Sequence, residues 1–101
     1  MFRAIRDFFD VSQRLRRRLA EISERITSAR FMQSELRHKA RVLREMAAQS
    51  NLTEKQAKDV QLLIDVCQQK IDTAETLIEL LKRESATVQI MISKRDIEAI
   101  A

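Results

Sequence analysis

Glu35 and His38 are the residues whose spacing comes closest to metal chemistry. On a helix they lie three positions apart on one side, which is the arrangement that carboxylate-bridged iron bundles use. His38 is the only histidine in the chain, and no second set of Glu or His faces the expected helical core. We therefore interpret the pair as exposed surface, and we predict no metal site and no cofactor.

Cys67 is the only cysteine, so the chain cannot form an internal disulfide. A nucleophilic thiol needs a basic neighbour, which the pattern around Cys67 does not supply, and we expect a small apolar side chain packed in the core. The pattern of a signal peptide is not expected, because the segment that would be apolar is interrupted by Arg3, Arg6, Asp7 and Asp10. Together these features predict a cytoplasmic protein. No nucleophile, base and anion-stabilising group can be combined into a catalytic site, so we predict that it is not an enzyme.

The arginines are the most informative polar residues. Residues 1–52 contain 12 Lys or Arg against six acids, a net charge of +6, whereas residues 53–101 contain seven against nine, a net charge of −2. We expect part of the positive charge to pair with acids of the second half, among them Glu54, Glu75, Glu84, Asp96 and Glu98. The excess fits an acidic protein surface, nucleic acid or an anionic membrane. The residues predicted to recognise such a partner are Arg14, Arg16, Arg17, Arg18, Arg25 and Arg30.

The first residues combine aromatic and basic side chains. Two interpretations fit this segment: an apolar cluster that packs at the open mouth of a helical hairpin, or a basic amphipathic helix that attaches residues 1–19 to an anionic membrane. The side chains concerned in both are Phe2, Ile5, Phe8 and Phe9.

The elements that must position these residues are long helices. The chain contains no glycine and no proline, which excludes phosphate-binding loops, dinucleotide turns and nucleophile elbows, all of which need glycine. Charged residues make up 34% of the chain and apolar residues 45%, and the abundant types are mostly strong helix formers. This composition is typical of a coiled coil.

Apolar residues recur alternately at three and four positions in both halves, from Ile5 to Ala47 and from Ala57 to Ile92, with Ser12 and Gln33 as polar interruptions in the first half. This 3.5-residue period predicts two helices with a continuous packing seam, at about 3–48 and 54–98. In the second half, further apolar residues such as Leu63, Val66 and Leu77 flank the seam, so that stripe is wider than one facing helix covers.

Polar turn-forming residues cluster at 49–53, where we predict that the chain reverses. Thr53 and Gln56 have the spacing of a capping box at the start of the second helix, and Asn51 is the expected left-handed residue that ends the first. The alternating β-branched residues at 85–93 fit a short strand as well as a helix, and we expect a helix because a lone strand lacks a partner.

The sequence thus predicts one all-α domain over residues 1–101, an antiparallel two-helix hairpin that dimerises into a four-helix bundle. The expected function is binding: a scaffold, adaptor or chaperone that recognises a protein partner through helix faces and the arginines. A nucleic-acid-binding dimer and a peripheral membrane protein remain open as alternatives. Self-association is predicted at the seam residues Leu15, Leu19, Ile22, Ile26, Leu36, Leu43, Ile64, Ile71, Ile78 and Leu81.

Overall fold

The computed structural model describes residues 2–49 and 51–100, with side chains at residue 6 and from residue 9 onward. Two α-helices account for nearly all of this: α1 spans Phe2–Ala47 and α2 spans Glu54–Ile100. The described ranges contain no strand, and α2 runs unbroken through residues 85–93. The prediction of two long helices joined by a short turn is confirmed.

The capping box at the start of α2 is also confirmed. The Thr53 backbone N–H donates to Gln56 Oε1 at 2.9 Å, and the Gln56 N–H donates to Thr53 Oγ1 at 3.1 Å. The first helical hydrogen bond follows, from the Ala57 N–H to the Thr53 carbonyl at 2.9 Å. Two helix N-terminal donors are therefore satisfied reciprocally, which is how a chain without glycine starts α2 sharply.

The prediction for Asn51 is wrong, because no described residue has a positive φ. Instead, the Ala48 N–H donates to the Arg44 carbonyl and the Gln49 N–H to the Met46 carbonyl, both at 3.1 Å. The second of these is a 3₁₀-type bond that tightens the last turn of α1 and satisfies a terminal carbonyl. The described residues of the connection to Thr53 include no left-handed position.

The chain divides into two compact units. The terminal unit comprises Met1–Thr27 and Glu79–Ala101, and the turn unit comprises Ser28–Ile78. The prediction of a single domain stays a prediction.

The core of the terminal unit is built from large aliphatic side chains. Ile22 is fully buried and forms a cluster with residues of α2, and Leu15, Leu19 and Ile26 pack against it. Each fully buried side chain of this size stabilises the fold by about 1.5–3 kcal/mol. The α2 members of the cluster are Leu81, Val88 and Ile92.

The core of the turn unit is thinner on the α1 side, where the buried residues are Ala29, Gln33 and Ala40. Gln33 is 3% exposed, and its Nε2 donates to the Ile71 carbonyl at 3.1 Å and to Glu75 Oε2 at 2.9 Å. Burying a polar side chain costs little free energy only when the side chain is hydrogen-bonded. The α2 side supplies Val60, Ile64, Ile71, Ala74 and Ile78.

The seam predicted from the sequence is confirmed. Every buried apolar residue that the structure describes belongs to one of the two series with alternating steps of three and four. The 3.5-residue period therefore identified which face of each helix packs inside the chain.

Candidate functional site

An apolar groove lies in the turn unit between the α1 stretch 36–43 and the α2 stretch 63–70, with a volume of about 520 Å³. Both helices form its walls. On α2, the wall residues Leu63 and Val66 lie beside the seam residues Ile64 and Cys67. One facing helix cannot cover a stripe of this width. The apolar groove is walled by Leu36, Val42, Leu43, Leu63, Val66 and Cys67.

The walls of the apolar groove remain accessible in the single chain. Leu63 is 51% exposed, Val42 is 41% exposed and Val66 is 37% exposed, whereas Leu36 and Leu43 are half-buried. Exposed apolar residues scattered singly need no explanation, but a contiguous patch with a concave shape is typical of a binding site. A larger cleft of the terminal unit, about 780 Å³, is lined by residues of α2 alone, so the apolar groove, which both helices wall, is the candidate site.

Cys67 belongs to this site. We expected a buried core thiol, but the structure leaves Cys67 half-buried as a lining residue of the apolar groove. It lies on the predicted seam between the buried Ile64 and Ile71, and it is only partly covered there. Leu63 and Val66 were among the flanking residues that predicted a wide apolar stripe on α2, but the sequence did not single out this stretch of it.

Three basic side chains also line the groove: His38 and Lys39 from α1, and Lys70 from α2. All three are exposed, and we call them the basic rim. No Asp or Glu is among the lining residues. The groove therefore combines apolar walls with a rim that carries positive charge from both helices.

A second cleft of the turn unit, with a volume of about 420 Å³, has a different character. Its polar lining contains both signs of charge, and Gln33 already donates to one of its carboxylates, that of Glu75. Because opposite charges face one another there, the cleft favours internal pairing over recognition of one kind of ligand. It is lined by Arg37, Ala40, Arg44, Gln68, Ile71, Asp72 and Glu75.

Two of the predicted recognition arginines pair with α2 in the terminal unit. Arg18 Nε donates to Glu84 Oε1 at 2.9 Å, and Arg16 Nη2 lies 3.3 Å from Asp96 Oδ2. The hydrogen bond that Arg18 donates to Glu84 raises the pKa of Arg18 above its ordinary value. Arg18 also contacts Glu21 at 3.4 Å. Of the five acids expected to pair with α1, Glu84 and Asp96 form these ion pairs, and their order shows that α1 and α2 run antiparallel in this unit.

The other predicted arginines are exposed, and none makes an ion pair with a residue that the structure describes. The four neighbours at 14–18 are therefore split, with Arg16 and Arg18 turned to α2 and Arg14 and Arg17 facing solvent. Arg25 and Arg30 are exposed in the terminal and turn units respectively. Four positively charged groups remain available to a partner.

The residues predicted for self-association lie between the two helices of a single chain. Half of them are buried and half are half-buried, so their surfaces are largely used by α1 and α2 of the same chain. A second copy would have to contact residues outside the seam. The buried members are Ile22, Ile64, Ile71, Ile78 and Leu81, and the half-buried ones are Leu15, Leu19, Ile26, Leu36 and Leu43.

The aromatic cluster predicted at the start of α1 lies mainly outside the described side chains. This applies to Phe2, Ile5 and Phe8, so both interpretations of that segment stay predictions. Phe9 is described and is 61% exposed.

Glu35 and His38 are both exposed, beside Ser34, Arg37 and Arg41. Within the described ranges, no group of three or more His, Cys, Asp or Glu side chains could hold a metal ion.

Neither helix, over the part described, is long and apolar enough to cross a membrane. The chain matches no protein-family model, no curated protein sequence and no solved structure.

Proposed function

We propose that this chain is a non-enzymatic, cytoplasmic protein-interaction module, a small helical adaptor or chaperone that binds an amphipathic helix of a partner in the apolar groove. The observation that carries the proposal is the contiguous set of accessible apolar side chains on the groove walls, above all Leu63, Val66 and Val42. Covering them stabilises a complex by about 25 cal/mol for each Å² removed from water, less the cost of association.

A helix suits this groove better than an extended peptide. The groove is walled by two helices, whose backbone hydrogen bonds are satisfied internally, so no strand edge is available for β-augmentation. A third helix can instead insert apolar side chains between those of α1 and α2, as knobs insert into holes in a bundle. The partner's apolar residues would then recur at steps of three and four.

Cys67 provides a direct test, because the only thiol of the chain lines the groove. We expect a helical peptide with a heptad apolar stripe and glutamine flanks to slow the alkylation of Cys67 by iodoacetamide in a saturable manner. A matched control moves the thiol to an exposed position of the terminal unit, in a Cys67→Ser, Ser23→Cys double variant, where the peptide should leave the rate unchanged. Equal rates at Cys67 with and without peptide would show that the groove is not a binding site.

Self-association into a four-helix bundle is a second proposal, supported by exposed apolar residues of α2 outside the groove. Leu62 lies in the turn unit, and Leu80, Ile90 and Ile97 lie in the terminal unit, each more than half exposed. A second copy could cover such residues in an isologous contact. Sedimentation equilibrium at micromolar concentration tests it: we expect a dimer, and a folded monomer would contradict it.

Nucleic-acid binding is supported by the exposed arginines Arg14, Arg17, Arg25 and Arg30. Its affinity should fall steeply with salt because counterions are released. A salt titration with generic duplex DNA and RNA tests this alternative, and no binding at low salt would eliminate it.

A further inference from the structure

We propose that the helix bound in the apolar groove is acidic, with Asp or Glu on both sides of its apolar stripe. This inference rests on the proposed function and adds the chemistry of the partner. It follows from the basic rim: the charged residues that line the groove are basic, and they come from both walls.

Lys39 on α1 and Lys70 on α2 carry the argument. Both are exposed, and neither makes an ion pair with a residue that the structure describes. A lysine can lay its aliphatic stem along an apolar surface and keep its ammonium group in water. A helix seated between the walls would therefore meet an ammonium group on each flank, with His38 as a further nitrogen donor on the α1 side.

Among the described residues, no carboxylate makes an ion pair with Lys39 or Lys70. Glu35 lies one helical turn before Lys39 and shares a neighbouring cleft with His38, but it does not line the groove itself. In the terminal unit, by contrast, Arg16 and Arg18 are matched by Asp96 and Glu84. Complementary charges on a partner increase the association rate and exclude partners of the wrong sign.

The same charges disfavour a second copy as the occupant. If the groove of one molecule faced the groove of another, each basic rim would meet a basic rim, and like charges at an interface cost several kcal/mol. The apolar groove is thus suited to a different chain, whereas self-association would use the exposed α2 residues outside it.

Three synthetic peptides of equal length and with one shared apolar heptad stripe test the inference, with flanks of Glu, Gln or Lys. Their binding to the full chain is measured by fluorescence anisotropy at low salt, with Cys67 alkylation as the report on the groove. We expect the Glu peptide to bind tightest, by at least about tenfold over the Lys peptide, which corresponds to about 1.4 kcal/mol. The preference should shrink as salt screens the exposed charges.

A charge-reversed chain makes the test specific to the rim. In the Lys39→Glu, Lys70→Glu double variant the order of the peptides should invert, with the Lys peptide binding tightest. The Lys55→Glu, Lys94→Glu variant changes the net charge by the same amount at exposed positions that do not line the groove, and it should keep the original order. Circular dichroism checks that both variants remain helical.

The outcomes separate the two proposals. If the Gln peptide protects Cys67 but all three peptides bind equally, or if the rim variant keeps the original order, the acidic partner is wrong and the binding groove stands. If no peptide protects Cys67, the proposed function is wrong and the inference falls with it. If the chain alone protects Cys67 as its concentration rises, the occupant is a second copy and the acidic partner is overturned.

Discussion

The terminal unit and the turn unit share one 3.5-residue seam but use it differently. In the terminal unit, Ile22 is fully buried within an aliphatic cluster, and the flanks hold interhelical ion pairs such as that of Arg18 with Glu84. In the turn unit, α1 contributes small or polar residues to the seam, and the flank beside Leu63 is apolar and open.

The two units thus differ in the α1 residues of the seam and in the residues that flank it. Charged flanks can pair across the helices and select their orientation, whereas apolar flanks leave surface that a further helix can cover. We propose that the turn unit recognises a partner through its open apolar flank, and four predictions test this contrast.

The largest effect is expected from Ile22→Ala in the terminal unit. Truncating a fully buried isoleucine removes its transfer free energy and leaves a cavity, so the free energy of unfolding should fall by about 2–4 kcal/mol in urea denaturation. Ile90→Ala in the same unit is the matched control. Because Ile90 is 67% exposed, this variant should lower the free energy of unfolding by less than about 0.5 kcal/mol. Equal losses in the two variants would refute the assignment of the terminal core.

Gln33→Ala should have the next largest effect, because it leaves a cavity and removes two hydrogen bonds, one of them to the carboxylate of Glu75. We expect the free energy of unfolding to fall by about 1–3 kcal/mol. Gln33→Leu fills the space with apolar atoms and should cost clearly less. If Gln33→Leu is as damaging as Gln33→Ala, the hydrogen bonds rather than the filled volume hold this seam position.

Arg18→Ala should lower the thermal midpoint less than Gln33→Ala does, because Arg18 and Glu84 are both partly exposed. Exposed ion pairs contribute little and are screened by salt. A double-mutant cycle with Glu84→Ala measures the coupling, which should shrink as salt is added. A coupling that does not change with salt would mean that Arg18 stabilises the unit by packing rather than by charge.

The smallest effect on stability is expected in the apolar groove. Leu63→Gln with Val66→Gln should change the free energy of unfolding by less than about 1 kcal/mol, since both side chains are exposed. The same variant should lose most of its binding to the amphipathic peptides. A large loss of stability would assign these residues to the core and remove the contrast between the units.

Much of the fold could be predicted from local patterns. The helix bounds, the capping box of Thr53 and Gln56 and the seam positions all depend on residues within a few turns of one another, and all are confirmed. The end of α1 could not be predicted in the same way, because a 3₁₀-type bond from Gln49 replaced the left-handed residue expected at Asn51.

Only part of the candidate site could be predicted from the sequence. The flanking residues Leu63 and Val66 showed that α2 carries a wide apolar stripe, but not where α1 would leave it uncovered. Cys67 was assigned to the core because it shares the seam period with residues that are buried. Its exposure depends on how far α1 extends across α2, which no pattern within one helix encodes.

By itself, the sequence determined two long helices, the position of the turn and the face that each helix packs, because helix period, capping and the absence of glycine and proline act locally. Only the tertiary structure decided that Arg16 and Arg18 pair with Asp96 and Glu84, that Gln33 reaches Ile71 and Glu75, and that a basic-rimmed groove stays open. These contacts join residues 38 to 80 positions apart, so they depend on which stretches of α1 and α2 lie side by side.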